Sequence, residues 1–175
     1  MKTLILFVGV LSLVFLCSRH AEALENQLIV GGSLDYALEF DDELQHGGGV
    51  GVHSWFGLTD AVAIGGRIAY AAHAAPNDEG DNELRNVITA AAGLYFVLDI
   101  IRVIPYAGVL IGAAVEIEDD VAASYLMNVC IGADVIITAT LTSGLEVSYQ
   151  ALIGDDILPA RLVISARMSW RHLFF

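Results

Sequence analysis

Apolar and polar residues alternate along most of this chain, and that period of two constrains its fold more than any other feature. Between positions 27 and 40, QLIVGGSLDYALEF, every even position except Gly32 is a large apolar or aromatic residue, whereas the odd positions include Ser33, Asp35 and Glu39. Successive side chains of a β-strand point to opposite faces, so the pattern predicts a strand with one apolar face. It recurs at about 46–57, 60–74, 84–98, 103–118, 122–137, 141–152 and 161–175, which predicts eight strands.

The longest uninterrupted apolar run lies at the start of the chain. Lys2 precedes an apolar core from 4 to 16, and AEA at 21–23 has the small-x-small pattern of a cleavage site. A core of 13 residues is shorter than the roughly 20 that a helix needs to cross a bilayer. We therefore predict a cleaved secretory signal peptide over residues 1–23 and one β-barrel domain over residues 24–175.

The charge of the predicted mature chain excludes some partners. It carries six arginines, no lysine and twenty acidic residues, a net charge of −14 with histidine neutral. Such a chain is repelled by nucleic acid and by anionic membrane surfaces, so neither is expected as an electrostatic partner. Cys130 is its only cysteine, which leaves no internal disulfide.

The connections between the predicted strands are of two kinds. Three are tight: GLTD, DIIR and TAT, between strands 2 and 3, 4 and 5, and 6 and 7. The other four are acidic: DDELQHGGG, APNDEGDNE, EDDV and GDDILP. In an up-and-down meander all four acidic connections fall at the same end. Most carboxylates are therefore expected at one end of the molecule.

Alternation alone does not say whether the apolar face points inward, as in a soluble lipocalin-like barrel, or outward into lipid. The other face is mostly Gly, Ala, Ser and Thr with sparse charge, which suits the narrow lumen of eight strands. The strands are long enough to span a bilayer when tilted. Aromatic residues lie towards the strand ends, as in interfacial girdles: Phe40, Phe56, Phe96, Trp170 and Phe174. We predict an all-β, eight-stranded antiparallel up-and-down transmembrane β-barrel. The barrel is expected to be closed, because unpaired backbone groups at a sheet edge are unfavourable in lipid. A secreted ligand-binding barrel is the alternative.

Two stretches carry a family resemblance. LYFVLDIIRVIPYAGVLIGAAVEI, at 94–117, resembles the segment of small bacterial outer-membrane β-barrel proteins in which a tight turn leads into a Pro-Tyr-x-Gly strand, here Pro105, Tyr106 and Gly108. LTSGLEVSYQALIG, at 141–154, is similar to their penultimate strand. The family includes the OmpA transmembrane domain, OmpX and OmpW. The resemblance implies the bacterial outer membrane, a non-enzymatic envelope or surface role, lipids and lipopolysaccharide as partners, and insertion by the barrel-assembly machinery.

The last residues depart from the family pattern, in which the terminal aromatic lies on the lipid-facing register. Here Phe174 follows the apolar register of Trp170, whereas Phe175 shares the register of Arg171. Either Phe174 acts as the terminal aromatic or a bulge shifts the register. Trp170, Phe174 and Phe175 are the candidate assembly signal.

Ionisable residues also occur on the predicted inward face. They are Asp35, Glu39, Arg67, Arg85, Glu116, Asp134, Glu146, Arg161, Arg167 and Arg171. Charges held in a narrow lumen need partners of opposite sign. We predict that they form an ion-pair network that fills the lumen and leaves at most a narrow passage for solutes.

Neither catalysis nor a cofactor is predicted. His53, His73, Cys130 and Asp134 lack the spacing of metal ligands. Some barrels of this size modify lipid A with a serine, a histidine and a carboxylate. The Ser–His pairs available here, His53 with Ser54 and Ser169 with His172, straddle opposite faces or lack a placed acid. These pairs do not favour catalysis, so a lipid A-modifying enzyme is the alternative function and not the main prediction.

The acidic connections offer oxygen ligands for divalent cations, at 41–43, 78–83, 118–120 and 155–156. Cations held there would bridge the protein to lipopolysaccharide phosphates. No connection has the ligand spacing of an EF-hand. Solvated turns are the simpler interpretation, and divalent cations are the partner to test.

Overall fold

The computed structural model describes residues 24–40, 44–76, 82–98, 102–117, 121–153 and 160–173. Eight β-strands make up the sheet: β1 (Gln27–Phe40), β2 (Leu44–Gly57), β3 (Val62–Pro76), β4 (Asn82–Val97), β5 (Val103–Ile117), β6 (Val121–Thr138), β7 (Leu141–Ile153) and β8 (Ala160–Leu173). Each strand pairs with the next, and β1 also pairs with β8, so the sheet is a closed barrel. The predicted eight-stranded antiparallel up-and-down barrel is confirmed. Within the described ranges, no helix is long and apolar enough to cross a membrane.

The strand bounds differ from the sequence prediction by two residues or fewer wherever both ends are described. β2 and β4 each begin two residues earlier than the alternation indicated, and β3 begins at Val62. β8 ends at Leu173, so Phe174 and Phe175 lie outside the described residues, as do residues 1–23. The signal peptide therefore stays a prediction.

The apolar faces of the strands point away from the barrel axis. Ile111, in the middle of β5, is 70% exposed, and Trp170 of β8 is 66% exposed. Charged residues of the other register are buried inside, with Glu39 0% and Arg161 2% exposed. A belt of exposed large apolar residues occurs on every strand and would be unfavourable in water. The outer surface of the barrel therefore suits the hydrocarbon core of a membrane, as expected for a transmembrane barrel.

The two ends of the barrel carry different outward-facing aromatic residues. We call the end with the β1–β2, β3–β4, β5–β6 and β7–β8 connections the acidic end, and the opposite end the turn end. Tyr36 and Tyr70 face outward nearer the acidic end, where Tyr36 shares a hydrogen bond with His46. Phe96 and Trp170 face outward nearer the turn end. Aromatic side chains at both levels are typical of the two interfaces of a membrane.

Apolar and aromatic side chains fill the lumen at the turn end. This turn-end plug consists of Leu24, Ile29, Trp55, Ala63, Tyr95, Val97, Ile104 and Tyr106, with Leu110 and Cys130 packed further in. Leu24 precedes β1 and reaches the plug through a turn in which Asn26 has a positive φ of 62°. The backbone N–H of Asn26 donates to the carbonyl of Gly57 at 3.0 Å, which fixes this turn to the end of β2.

Candidate functional site: two ion-pair clusters in the lumen

A first ion-pair cluster, here the acidic-end cluster, joins five strands near the acidic end. Arg161 donates from Nε to Glu39 Oε2 at 2.6 Å and from Nη2 to Glu116 Oε1 at 2.6 Å. Arg85 also pairs with Glu39, and His73 Nδ1 lies 3.7 Å from Glu39 Oε2. The cluster thus contains two carboxylates and two guanidinium groups, so their charges cancel without a counter-ion from solvent.

Barrel closure produces the acidic-end cluster. Glu39 and Arg161 are direct neighbours in the β1–β8 pairing, although they are 122 residues apart in the chain. His73 and Arg85 are direct neighbours in the β3–β4 pairing. Eight strands leave a lumen narrow enough for these side chains to meet across it.

A second cluster, here the central cluster, lies deeper in the lumen. Arg67 donates to Asp35 Oδ2 at 2.5 Å and to Glu146 Oε1 at 2.8 Å. Arg167 pairs with the other oxygen of Glu146 and donates to the hydroxyl of Tyr106. Glu146 therefore bridges two arginines, and the cluster again balances two carboxylates with two guanidinium groups.

Aromatic rings hold the Arg167 side chain in place. Its guanidinium carbon lies 4.8 Å from the Tyr106 ring centroid and 5.8 Å from that of Trp55. Trp55 in turn packs on Tyr95, with ring centroids 5.4 Å apart. Cation–π contacts of this kind gain strength where water is excluded. The central cluster is thus continuous with the turn-end plug.

Eight of the ten predicted inward residues belong to these two clusters, and Asp134 and Arg171 do not. Arg171 donates to the Gln27 side-chain oxygen at 2.9 and 3.2 Å. Asp134 is 1% exposed, and among the described residues no cation lies within ion-pair distance of it. Its Oδ1 lacks a hydrogen-bond partner. Inward orientation alone therefore did not identify which charges pair.

The serine–histidine pairs considered from the sequence are not formed. Ser54 faces outward while His53 faces the lumen, and Ser169 is buried while His172 is exposed. The structure instead brings His53 Nε2 within 2.9 Å of Ser169 Oγ, between residues 116 positions apart. Sequence adjacency could not indicate this pair, because barrel closure creates it. Ser169 is 2% exposed, so the pair is sealed inside the lumen.

The described part of the C-terminal strand keeps one register. β8 pairs with β1 from Leu173 opposite Gln27 to Ala160 opposite Phe40 without a shift. Its pairing with β7 is also unshifted, from Trp170 opposite Leu141 to Arg161 opposite Gln150, so no bulge occurs in the described part of β8. Trp170 faces outward, and the other two aromatics of the candidate assembly signal stay untested.

Gly132 makes room for Tyr106, which links the plug to the central cluster. A Cβ at position 132 would collide with the hydroxyl end of the Tyr106 ring. We expect Gly132→Ala to destabilise the barrel by about 1–3 kcal/mol through overpacking, measured by urea unfolding in lipid vesicles. Gly48→Ala is the matched control, because a Cβ there meets nothing within 4 Å. Equal effects of the two variants would contradict the packing described for Tyr106.

No protein-family model and no curated protein sequence matches this chain. Solved structures do match. Neisserial surface protein A superposes with a TM-score of 0.62 at 13% identity, over 83% of this chain and 99% of that one. The outer membrane protein OprG from Pseudomonas aeruginosa gives 0.62 at 10% identity, over 89% and 98%. The attachment invasion locus protein of Yersinia pestis gives 0.57 at 13% identity, over 85% and 99%.

Each of these matches spans nearly the whole of the other chain at low sequence identity, so it shows a shared fold. The closed eight-strand topology agrees with it. The chain has the fold of the small eight-stranded outer-membrane β-barrel proteins, the OmpA- and OmpX-like class.

Proposed function

We propose that this protein is a non-enzymatic integral protein of the bacterial outer membrane, with a lumen closed to solutes and a structural or surface-interaction role in the envelope. The observation that carries the proposal is the filled lumen. Two neutral ion-pair clusters and an aromatic plug occupy it in succession from the acidic end to the turn end. The belt of exposed apolar residues on the outer face supports lipid as the surroundings of the same strands.

The test is membrane fractionation combined with reconstitution. We expect the protein in the outer-membrane fraction, with a gel mobility that shifts on boiling because a folded barrel stays compact in detergent. Proteoliposomes containing it should release trapped small solutes no faster than vesicles without protein. A soluble location without a mobility shift would refute the membrane assignment, and rapid release would refute the closed lumen.

We place the acidic end at the cell surface, where partners would meet it. Twelve acidic residues and no lysine or arginine occur at 41–43, 77–83, 118–120 and 154–159. The Yersinia pestis attachment invasion locus protein has been solved with the heparin analogue sucrose octasulfate, a polyanion. A polyanion is an unfavourable partner for so negative an end. Cationic partners, or divalent cations that bridge to lipopolysaccharide phosphates, suit it better.

A lipid A-modifying enzyme is the second candidate, because a histidine and a serine do lie in hydrogen-bond contact. The burial of both residues disfavours it, since the substrate's ester groups would have to enter the filled lumen. We expect Ser169→Ala and His53→Ala to leave the lipid A profile of producing cells unchanged, as measured by mass spectrometry. A profile that changes with the wild-type protein and reverts in both variants would establish the enzyme instead.

Insertion by the barrel-assembly machinery is part of the proposal. Trp170 has the outward orientation that a lipid-facing assembly signal needs. Phe174 follows the same register by alternation, so it is the better terminal aromatic of the two phenylalanines.

A further inference from the structure

The first residues that the structure describes cover the lumen at the turn end. Leu24 is 1% exposed and belongs to the turn-end plug. Gly57, at the end of β2, shares the inward register of Trp55 but has no side chain, and a Cβ there would lie 3.1 Å from Leu24 Cγ. The leucine side chain therefore takes the place in the lumen that a side chain at position 57 would occupy.

Hydrogen bonds on both sides hold the turn that carries Leu24. The N–H of Gln27 donates to the carbonyl of Leu24 at 3.1 Å, and the N–H of Asn26 donates to the carbonyl of Gly57 at 3.0 Å. Asn26 has a φ of 62°, a left-handed conformation that asparagine adopts more readily than most residues. Arg171 of β8 donates to the side chain of Gln27. The turn is thus tied to β2 and β8, the two strands that pair with β1.

Leu24 also has a distinct place in the sequence. The predicted cleavage site is AEA at 21–23, so Leu24 is the first residue of the predicted mature chain. Glu25 and Asn26, the other two residues that precede β1 in that chain, are polar and exposed. Neither could fill an apolar plug. Cleavage one residue later would therefore remove the side chain that covers the lumen.

We propose that residues 24–26 form a latch that seals the lumen at the turn end, and that removal of the leader leaves the sealing residue, Leu24, as the N-terminus of the mature protein. Burial of Leu24 in the plug is favourable because it removes apolar surface from water. It also keeps water away from Ala63 and Val97, which are 0% exposed at the same end. The latch rests on the closed lumen of the proposed function and adds how the turn end is closed.

The test is thiol labelling of the folded barrel in detergent micelles with a charged, water-soluble maleimide. Ala63→Cys places a reporter thiol beside the latch, because Ala63 is directly opposite Gly57 in the β2–β3 pairing. Cys130, which is 1% exposed and lies deeper in the lumen, is the internal control. Mass spectrometry of peptides gives both labelling rates. With the latch intact, both thiols should react far more slowly than in the chain unfolded in urea. If Ala63→Cys does not fold, Val97→Cys reports from the same end.

Leu24→Ser removes the seal and should speed labelling at position 63 at least about tenfold, because the lost burial of a leucine exceeds the roughly 1.4 kcal/mol that a factor of ten represents. Cys130 should stay protected, since only the latch opens. A second pair of variants tests the turn without changing the seal. Asn26→Val strains the left-handed backbone and should also speed labelling, whereas Asn26→Gly adopts the same φ without strain and should not.

The outcomes separate the latch from the closed lumen. Unchanged protection of position 63 in Leu24→Ser would overturn the latch and leave the closed lumen standing. Exposure of Cys130 together with position 63 in that variant would also overturn it, because the whole barrel would then have loosened. Rapid labelling of both thiols with the latch intact would instead overturn the closed lumen. A mature protein whose mass shows another first residue would overturn the role of Leu24 as the N-terminus.

Discussion

Glu146→Ala should destabilise the folded barrel more than any other single truncation in the lumen, by about 3–5 kcal/mol. Glu146 is the carboxylate that pairs with both arginines of the central cluster. Its removal leaves Arg67 with Asp35 and leaves Arg167 with aromatic rings and the Tyr106 hydroxyl. An uncompensated guanidinium in a closed lumen keeps its desolvation penalty and loses the attraction that offset it. Urea unfolding in lipid vesicles measures the loss.

Two further variants separate charge from packing at this position. Asp60→Ala removes an exposed carboxylate from the connection between β2 and β3 and should change the free energy of unfolding by less than about 0.5 kcal/mol. Adding Arg167→Met to Glu146→Ala removes the orphaned cation and should restore part of the stability. A double variant no more stable than Glu146→Ala would mean that packing, and not the unpaired charge, causes the loss.

The strand order and the faces could be predicted from the sequence because both follow from local chemistry. A period of two assigns every side chain to a face without knowledge of any partner strand. Short and acidic connections then alternate, which indicates a meander. The inward placement of Arg67, Glu116 and Glu146 followed from this pattern alone.

The ion-pair partners could not be predicted, because they depend on how far the strands are staggered around the closed barrel. Arg67 and Glu146 are 79 residues apart and on strands that are not neighbours in the sheet. Alternation carries no information about that stagger. The same limit explains Asp134, which faces inward but forms no ion pair with the arginines that the structure describes. It also explains the His53–Ser169 contact, which sequence adjacency did not suggest.

The outward belt leads to the second large effect. Ile111→Arg should cost about 2–4 kcal/mol in a bilayer, whereas arginine near an interface costs about 0–1 kcal/mol. Ile111 lies in the middle of β5 and is 70% exposed. Leu84, the third residue of β4 at the acidic end, is 67% exposed and supplies the control variant Leu84→Arg. Unfolding of both variants in the same vesicles gives the depth dependence.

The comparison of these two sites separates a membrane barrel from a secreted one. In water, an arginine at either exposed position is well solvated, and both variants should resemble the wild type. In hydrocarbon, only the mid-strand position forces the guanidinium to bend towards an interface or to draw water into the bilayer. A large cost at position 111 with little cost at position 84 therefore requires a bilayer around β5. If both variants lose equally little stability, the outward belt would instead be a binding surface between soluble proteins.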